Sequence, residues 1–211
     1  MPLYQVILNI DTAMLSFYHQ LAEAAGGVLT PLMSFITLIG EKGILMFLLA
    51  AVLMLFPKTR RAGVCIFGAV CCGALITNII LKDAVARLRP FEADALFKEW
   101  WQLVGSPAED GFSFPSGHVT AAAAGMLALC LTRGKKWIAP AVIYVILMGA
   151  SRNYLMAHFP SDVIAAMLVG ALSAIVAYFI SKYIFVFLEN HKDNGFCRFV
   201  LEFEPIKIKK S

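Results

Sequence analysis

Histidine, carboxylate and arginine side chains stand at short spacings beside apolar runs in the second half of the sequence. His158 and Asp162 are four residues apart. If Pro160 opens a helix, Asp162 falls in its first turn and can accept a hydrogen bond from one imidazole nitrogen. The other nitrogen is then free to attack an electrophile. A helix cap beside an ordinary histidine is the competing interpretation, so the neighbouring motifs decide between the two.

The segment Pro115-Ser116-Gly117-His118 directly precedes an apolar run. Ser116 is placed as the N-cap of the helix that follows, and the free backbone N–H groups of a helix start bind anions. Gly117 allows the backbone to come close to a ligand. A simple cap followed by an interfacial histidine would give the same pattern, so this motif alone predicts an anion site only weakly.

Three cations lie near these motifs, namely Lys82, Arg89 and Arg152. Lys82 and Arg89 are seven residues apart and would share one face of a helix that ends at Pro90. Long cationic side chains on one stripe can hold a phosphate. Taken alone, they could equally be ordinary cations that snorkel to the membrane surface.

A metal centre is a competing interpretation, because His118, His158 and Asp162 provide two histidines and a carboxylate. The three cations just described would repel a metal ion from the same pocket. The set of side chains therefore favours an anionic ligand, and we expect no metal or other cofactor.

The composition indicates the elements that position these residues. Of 211 residues, 60% are hydrophobic and 15% are charged, whereas a soluble domain has about 45–50% apolar and about 25% charged residues. We predict an all-α fold, a polytopic membrane helical bundle of five to six helices forming one domain over residues 1–211. The strong spans are 43–56, 62–81, 119–132, 137–150 and 163–188. Residues 1–27 are expected to form an interfacial helix, residues 28–39 either extend the first span or form a partial helix, and residues 189–211 form a cytoplasmic tail.

Basic residues indicate the orientation. They cluster at 57–61, at 133–136 and in the tail at Lys207, Lys209 and Lys210, all on one side of the five spans. The positive-inside rule makes that side cytoplasmic and places the three motifs on the outer face.

Arg87, in the outer segment, is expected to face headgroups or acidic neighbours, and Glu109-Asp110 to lie in a solvated loop. No basic stripe suggests nucleic-acid binding, and the expected partners are the bilayer and a lipid phosphate.

The three motifs together resemble the signature of the type 2 phosphatidic acid phosphatase family. That signature reads Lys-x6-Arg-Pro, Pro-Ser-Gly-His and Ser-Arg-x5-His-x3-Asp. Here it stands as Lys82…Arg89-Pro90, Pro115-Ser116-Gly117-His118 and Ser151-Arg152…His158…Asp162, in the same order and with the same internal spacings. The match covers residues 82–162 directly.

The resemblance implies a metal-independent lipid phosphatase in which His158 forms a phosphohistidine and Asp162 orients it. His118 would protonate the leaving oxygen and later activate water. The phosphate-binding groups would be Lys82, Arg89, Ser116, Gly117 and Arg152. Bacterial members of the family suggest undecaprenyl diphosphate as substrate, then phosphatidylglycerophosphate or phosphatidic acid. A transporter or channel for an anion is the alternative, favoured only by the break at 40–43.

Overall fold

A computed structural model describes residues 3–205, and this part of the chain is a bundle of helices without strands. The fold class predicted from the sequence is confirmed. The helices are α1 Leu3–Ile39, α2 Ile44–Met54, α3 Arg60–Leu75, α4 Lys82–Val85, α5 Pro90–Ala93, α6 Ala95–Leu103, α7 Gly117–Arg133, α8 Ile138–Tyr154, α9 Pro160–Asn190 and α10 Gly195–Glu202. A π-helical segment, Ile76–Leu81, joins α3 to α4.

Three stretches are long and apolar enough to cross a membrane, namely Leu3–Met54, Arg60–Ala93 and Pro160–Asn190. The helices α7 and α8 have 17 residues each, which corresponds to roughly 25 Å at 1.5 Å per residue. The chain is a multi-pass membrane protein, and outward-facing side chains such as Leu168 and Phe179 are more than 60% exposed. They suit contact with lipid rather than water.

Small residues allow the central helices α3, α7 and α9 to approach closely. Ala69, Ala124 and Ala174 are fully buried. A Cβ atom added to Gly170 on α9 would lie 2.7 Å from the Cβ atom of Ala123 and 2.7 Å from the backbone carbonyl oxygen of Thr120 on α7. Close backbone approach through small residues is how membrane helices gain van der Waals packing.

Two irregularities divide the N-terminal region. The backbone of α1 leaves helical values at Ala25 (φ −141°, ψ 21°), so two helical segments meet there. Between α1 and α2 lies a 3₁₀ turn, Glu41–Gly43, in which Lys42 and Gly43 have positive φ angles of 49° and 72°. The second segment of α1 packs against α8, where the Thr30 and Tyr154 hydroxyls are 2.8 Å apart. Location of the first segment at the membrane interface stays a prediction.

The basic loops lie together at one end of the bundle. Arg133 donates a hydrogen bond to the backbone carbonyl of Lys58 (3.2 Å), and Arg60 donates to the carbonyl of Val200 in α10 (2.7 Å). The motif histidines lie at the other end, His118 in the first turn of α7 and His158 just before α9. The tail lysines Lys207, Lys209 and Lys210 lie outside the described residues.

Candidate functional site

The three sequence motifs converge on one cavity of about 390 Å³. Of the residues expected in the site, Lys82, Arg89, Gly117, His118 and His158 line it. The others, Ser116, Arg152 and Asp162, are fully buried. The cavity wall also includes residues that the motifs do not contain, namely Glu41, Lys42, Asn78, Glu109 and Asp110.

The backbone carbonyl of Ser113, rather than Asp162, holds the imidazole of His158. The Nδ1 atom lies 2.7 Å from the Ser113 carbonyl oxygen and 3.9 Å from the nearer Asp162 oxygen. A carbonyl oxygen only accepts, so Nδ1 carries the hydrogen and Nε2 has the free lone pair. The expected direct bond to Asp162 is absent. Asp162 instead accepts from the Ser113 hydroxyl (2.6 Å) and from the Phe159 N–H (2.9 Å), and so fixes the segment that holds the imidazole.

His158 is uncharged at neutral pH. Burial lowers its pKa to about 4, and the nearby Arg152 and Arg89 guanidiniums act in the same direction, against the opposing effect of Asp162. Desolvation disfavours the charged form of a histidine. The side chain is therefore in the protonation state that a nucleophile needs.

Arg87 connects Asp162 to the N-terminal helix. One guanidinium nitrogen lies 2.5 Å from an Asp162 oxygen and the other lies 2.8 Å from an Asp11 oxygen. The guanidinium carbon is 4.0 Å from the centre of the Phe159 ring. Asp11 is 1% exposed and also accepts from the backbone N–H (2.8 Å) and hydroxyl (2.6 Å) of Ser161. Of the two expectations for Arg87, headgroups or acidic neighbours, the structure places it between acidic neighbours.

Glu109 contacts two of the cations expected to bind phosphate. Its carboxylate pairs with Arg152 and lies 3.1 Å from Arg89. Burial opposes its ionisation, but the two guanidiniums outweigh burial and hold the pKa of the Glu109 carboxyl below its usual range. The expectation of a solvated loop is wrong for Glu109, whose side chain is 12% exposed. Two charged partners compensate for its loss of hydration.

Arg152 retains hydrogen-bonding capacity. Its side chain is fully buried, and its Nε and Nη1 atoms have no hydrogen-bond partner within residues 3–205. Arg89 is more fully used, since it donates to the backbone carbonyls of Gly111 (2.9 Å), Ala157 (3.0 Å) and Asp110 (2.7 Å). A buried guanidinium with unused N–H groups suits an anionic ligand that the protein alone does not supply.

Lys82 and Arg89 do not share a helix, contrary to the expectation from their spacing. The helix α4 ends at Val85, and Ala86 adopts a left-handed conformation (φ 48°). Arg89 is extended (φ −72°, ψ 158°), as proline requires of the residue before it, and Pro90 begins α5 rather than ending a helix. The two cations nevertheless line the same cavity.

Ser116 occupies the N-cap position of α7, as expected, but makes no capping hydrogen bond. Its hydroxyl is buried without a partner among residues 3–205. His118, in the first turn of the same helix, has its Nε2 atom 3.1 Å from a carboxylate oxygen of Glu41. In the described part of the chain, no three His, Cys, Asp or Glu side chains are grouped so that they could hold a metal ion.

Sequence reasoning missed Ser113, Asp11, Glu41 and Glu109. Asp11 and Glu41 could have been found from the sequence, because acidic residues within long apolar stretches are usually functional. Ser113 carried no such signal, since its backbone carbonyl is the group that holds His158.

The sequence pattern of the PAP2 superfamily matches residues 62–185. The chain belongs to the PAP2 superfamily. This confirms the predicted family and the prediction of a membrane-embedded lipid phosphate phosphatase. The match leaves out residues 1–61, so Asp11 and Glu41 lie outside the PAP2 segment.

Related PAP2 proteins and one solved structure show similarity over most of the chain. An undecaprenyl-diphosphatase from Sulfolobus acidocaldarius is 30% identical over 77% of this chain and 73% of its own length. A lipid A 4'-phosphatase from Bacteroides thetaiotaomicron is 26% identical over 84% and 79%. The undecaprenyl-diphosphatase BcrC from Bacillus subtilis is 32% identical over 69% and 71%. The crystal structure of a transmembrane PAP2-type phosphatidylglycerolphosphate phosphatase from Bacillus subtilis aligns with a TM-score of 0.59 at 23% identity, covering 86% of this chain and 94% of that one, and so shares the fold.

Replacing Asp11 by Ala will destabilise the protein. The change removes the buried acceptor of one Arg87 guanidinium nitrogen and of the Ser161 N–H. We expect a loss of about 3 kcal/mol, or a melting temperature about 6–12 °C lower in detergent. Asn9→Ala, on the exposed side of the same helix, should change the melting temperature by less than about 2 °C. Equal melting temperatures for the two variants would show that the Asp11 network does not hold α1 to the site.

Proposed function

We propose that this chain removes the terminal phosphate of a lipid diphosphate, with undecaprenyl diphosphate as the first candidate, through a phosphohistidine on Nε2 of His158. The observation that carries the proposal is the state of this side chain. It lines the cavity, its Nδ1–H is bonded to the Ser113 carbonyl, and its Nε2 is the free nitrogen. Such an imidazole is a prepared nucleophile.

The reaction proceeds in two displacements. The Nε2 lone pair attacks phosphorus, the bond from phosphorus to the leaving oxygen breaks, and His118 gives that oxygen a proton. Water then attacks the phosphohistidine, His118 takes a proton from the water, and the N–P bond breaks to release inorganic phosphate.

Positively charged side chains neutralise the negative charge on the oxygens of the transferring phosphate. The proposed phosphate-binding groups are Lys82, Arg89, Arg152, the Ser116 hydroxyl and the Gly117 backbone N–H. Asp162 is the orienting carboxylate, acting through Ser113 and the Phe159 N–H.

A diphosphate is favoured over a monoester by the charges in the cavity. Lys42 lines the cavity near His118, in addition to the three cations proposed to hold the transferring phosphate. A second phosphate on the leaving group would give this fourth cation a partner. Two relatives named as undecaprenyl-diphosphatases support the same choice.

Glu109 must leave its position before substrate binds. Its carboxylate pairs with Arg89 and Arg152, so it occupies the place of two phosphoryl oxygens. The low pKa of its carboxyl keeps it charged at neutral pH. Glu109 and the substrate phosphate therefore compete for the same guanidiniums.

The cavity end of the bundle is proposed to face the outside of the cell. The basic loops at 57–61 and 133–136 lie together at the opposite end, and clustered basic residues favour the cytoplasmic side. A lipid phosphate at the outer headgroup level would then reach the cavity with its tail still in the bilayer.

Replacing His158 by Ala should lower phosphate release at least about 10³-fold, because the nucleophile is lost. Release is measured from purified protein with EDTA, across undecaprenyl diphosphate, phosphatidylglycerophosphate, phosphatidic acid and lipid A. We expect undecaprenyl diphosphate to have the highest kcat/KM. His191→Ala, at an exposed histidine near the end of α9, is the matched control and should keep full activity. Turnover that persists in His158→Ala would refute the phosphohistidine, and loss of wild-type activity in EDTA would refute the metal-free mechanism.

Replacing Glu109 by Gln should tighten inhibition by orthovanadate about 10-fold, because a neutral amide competes less well for two guanidiniums. The inhibition constant is measured against phosphate release from the preferred lipid. Glu99→Gln, on the exposed face of α6, should leave the constant unchanged. Weaker inhibition in Glu109→Gln would show instead that this carboxylate helps to hold the arginines in the bound state.

Cysteine labelling tests the orientation. Lys98 and Lys135 are both exposed and lie at opposite ends of the bundle. In intact cells a membrane-impermeant maleimide should label Lys98→Cys above the background of the native cysteines and leave Lys135→Cys unlabelled until the cells are opened. The reverse pattern would place the cavity on the cytoplasmic side.

A further inference from the structure

The break between α1 and α2 brings an acidic side chain into the cavity from outside the PAP2 segment. We propose that Glu41 is a positioning residue for His118, which holds the imidazole in one orientation and tautomer for its proton transfers. The inference rests on the proposed function, since it assigns a partner to the group that exchanges protons with the leaving oxygen and with water.

The local backbone fixes the position of Glu41. The Gly40 N–H donates to the Thr37 carbonyl (3.1 Å), and the Gly43 N–H donates to the Gly40 carbonyl (3.0 Å). A Cβ atom at Gly40 would collide with the Met148 side chain, and one at Gly43 would lie 3.1 Å from the Cβ atom of Ala121. The positive φ of Gly43 suits glycine. The turn is therefore packed against α7 and α8, so that Glu41 faces the first turn of α7.

The contact between Glu41 and His118 defines the tautomer. The Glu41 Oε2 and His118 Nε2 atoms are 3.1 Å apart, and an ionised carboxylate can only accept. Nε2 therefore carries a hydrogen, and Nδ1 is the nitrogen that exchanges a proton with the substrate. Nδ1 makes no hydrogen bond within residues 3–205, and the His118 side chain is 13% exposed at the cavity wall.

The carboxylate assists both proton transfers. In the first step the imidazolium of His118 gives its Nδ1 proton to the leaving oxygen as the bond from that oxygen to phosphorus breaks. In the second step Nδ1 takes a proton from water as the oxygen of that water bonds to phosphorus. The first transfer consumes the imidazolium and the second forms it again, so a neighbouring negative charge assists at both points by stabilising it.

A purely structural role for Glu41 is a weak explanation. Its side chain is 42% exposed, and an ion pair with an exposed partner contributes little to stability. Replacing the carboxylate should thus leave the fold intact and change the chemistry, which makes the two roles separable.

The test compares leaving groups of different basicity. Replacing Glu41 by Gln should lower kcat/KM for dioctanoyl phosphatidic acid about 10- to 100-fold, because its alkoxide leaving group must be protonated. For p-nitrophenyl phosphate, whose phenolate leaves without a proton, kcat/KM should fall less than about threefold. The ratio of variant to wild type is taken for each substrate separately, so differences in binding between the substrates cancel. Glu41→Asp should recover part of the loss.

Glu23→Gln is the matched control. Glu23 also faces a histidine, with the His19 Nε2 atom at 3.4 Å, but it is 61% exposed and lies outside the cavity wall. This variant should hydrolyse both substrates at the wild-type rate. Melting temperatures of all variants in detergent should agree within about 2 °C.

A double-mutant cycle with His118→Ala locates the effect. If Glu41 acts through His118, Glu41→Gln should cause no further loss in the His118→Ala background. Equal losses for the two substrates, or full additivity of the two substitutions, would overturn the assignment of Glu41. Activity of His158→Ala would overturn the proposed function instead, so the two failures are distinguishable.

Discussion

The burial of arginine is the constraint on which the rest of the site depends. Arg152 is fully buried and Arg89 is 2% exposed, and a guanidinium out of water must have anionic or carbonyl partners. Glu109 and the carbonyls of Asp110 and Gly111 meet part of that need, while two nitrogens of Arg152 have no partner within residues 3–205. Because the buried guanidiniums need negatively charged partners, the cavity suits a phosphate group. In the proposed mechanism Glu109 is the internal anion that a substrate phosphate displaces.

Carboxylates in this site have different roles because their partners differ. Asp162 is surrounded by donors from Arg87, Ser113 and the Phe159 backbone, so its position is fixed. Glu109 pairs with the guanidiniums proposed to bind substrate, so the proposed mechanism requires it to move. Glu41 has a single histidine partner and remains partly exposed, which suits a group that stabilises a transient charge. Environment, rather than residue type, separates the three roles.

The sequence predicted the helical membrane fold and the convergence of the motifs because both depend on short-range information. Apolar length defines a span, and the motif residues lie at helix ends that meet at one end of a bundle. The prediction that Lys82 and Arg89 share a helix was wrong, because Ala86 adopts a left-handed conformation and ends the helix. The predicted hydrogen bond from His158 to Asp162 was also wrong, because the acceptor is a backbone carbonyl 45 residues away. Partners such as Glu41 of His118 are 77 residues distant, and no local pattern encodes such a contact.

The N-terminal region contacts the proposed reacting groups without contributing a motif. Asp11 holds Arg87 and Ser161 beside Asp162, and Glu41 bonds to His118, yet both precede the segment that defines the family. In the proposed mechanism the core from α3 to α9 thus contains the reacting groups, whereas α1 and the turn after it orient them. Because a helix packed on a bundle tolerates changes on its lipid side, this region can vary in sequence while these two carboxylates keep their contacts.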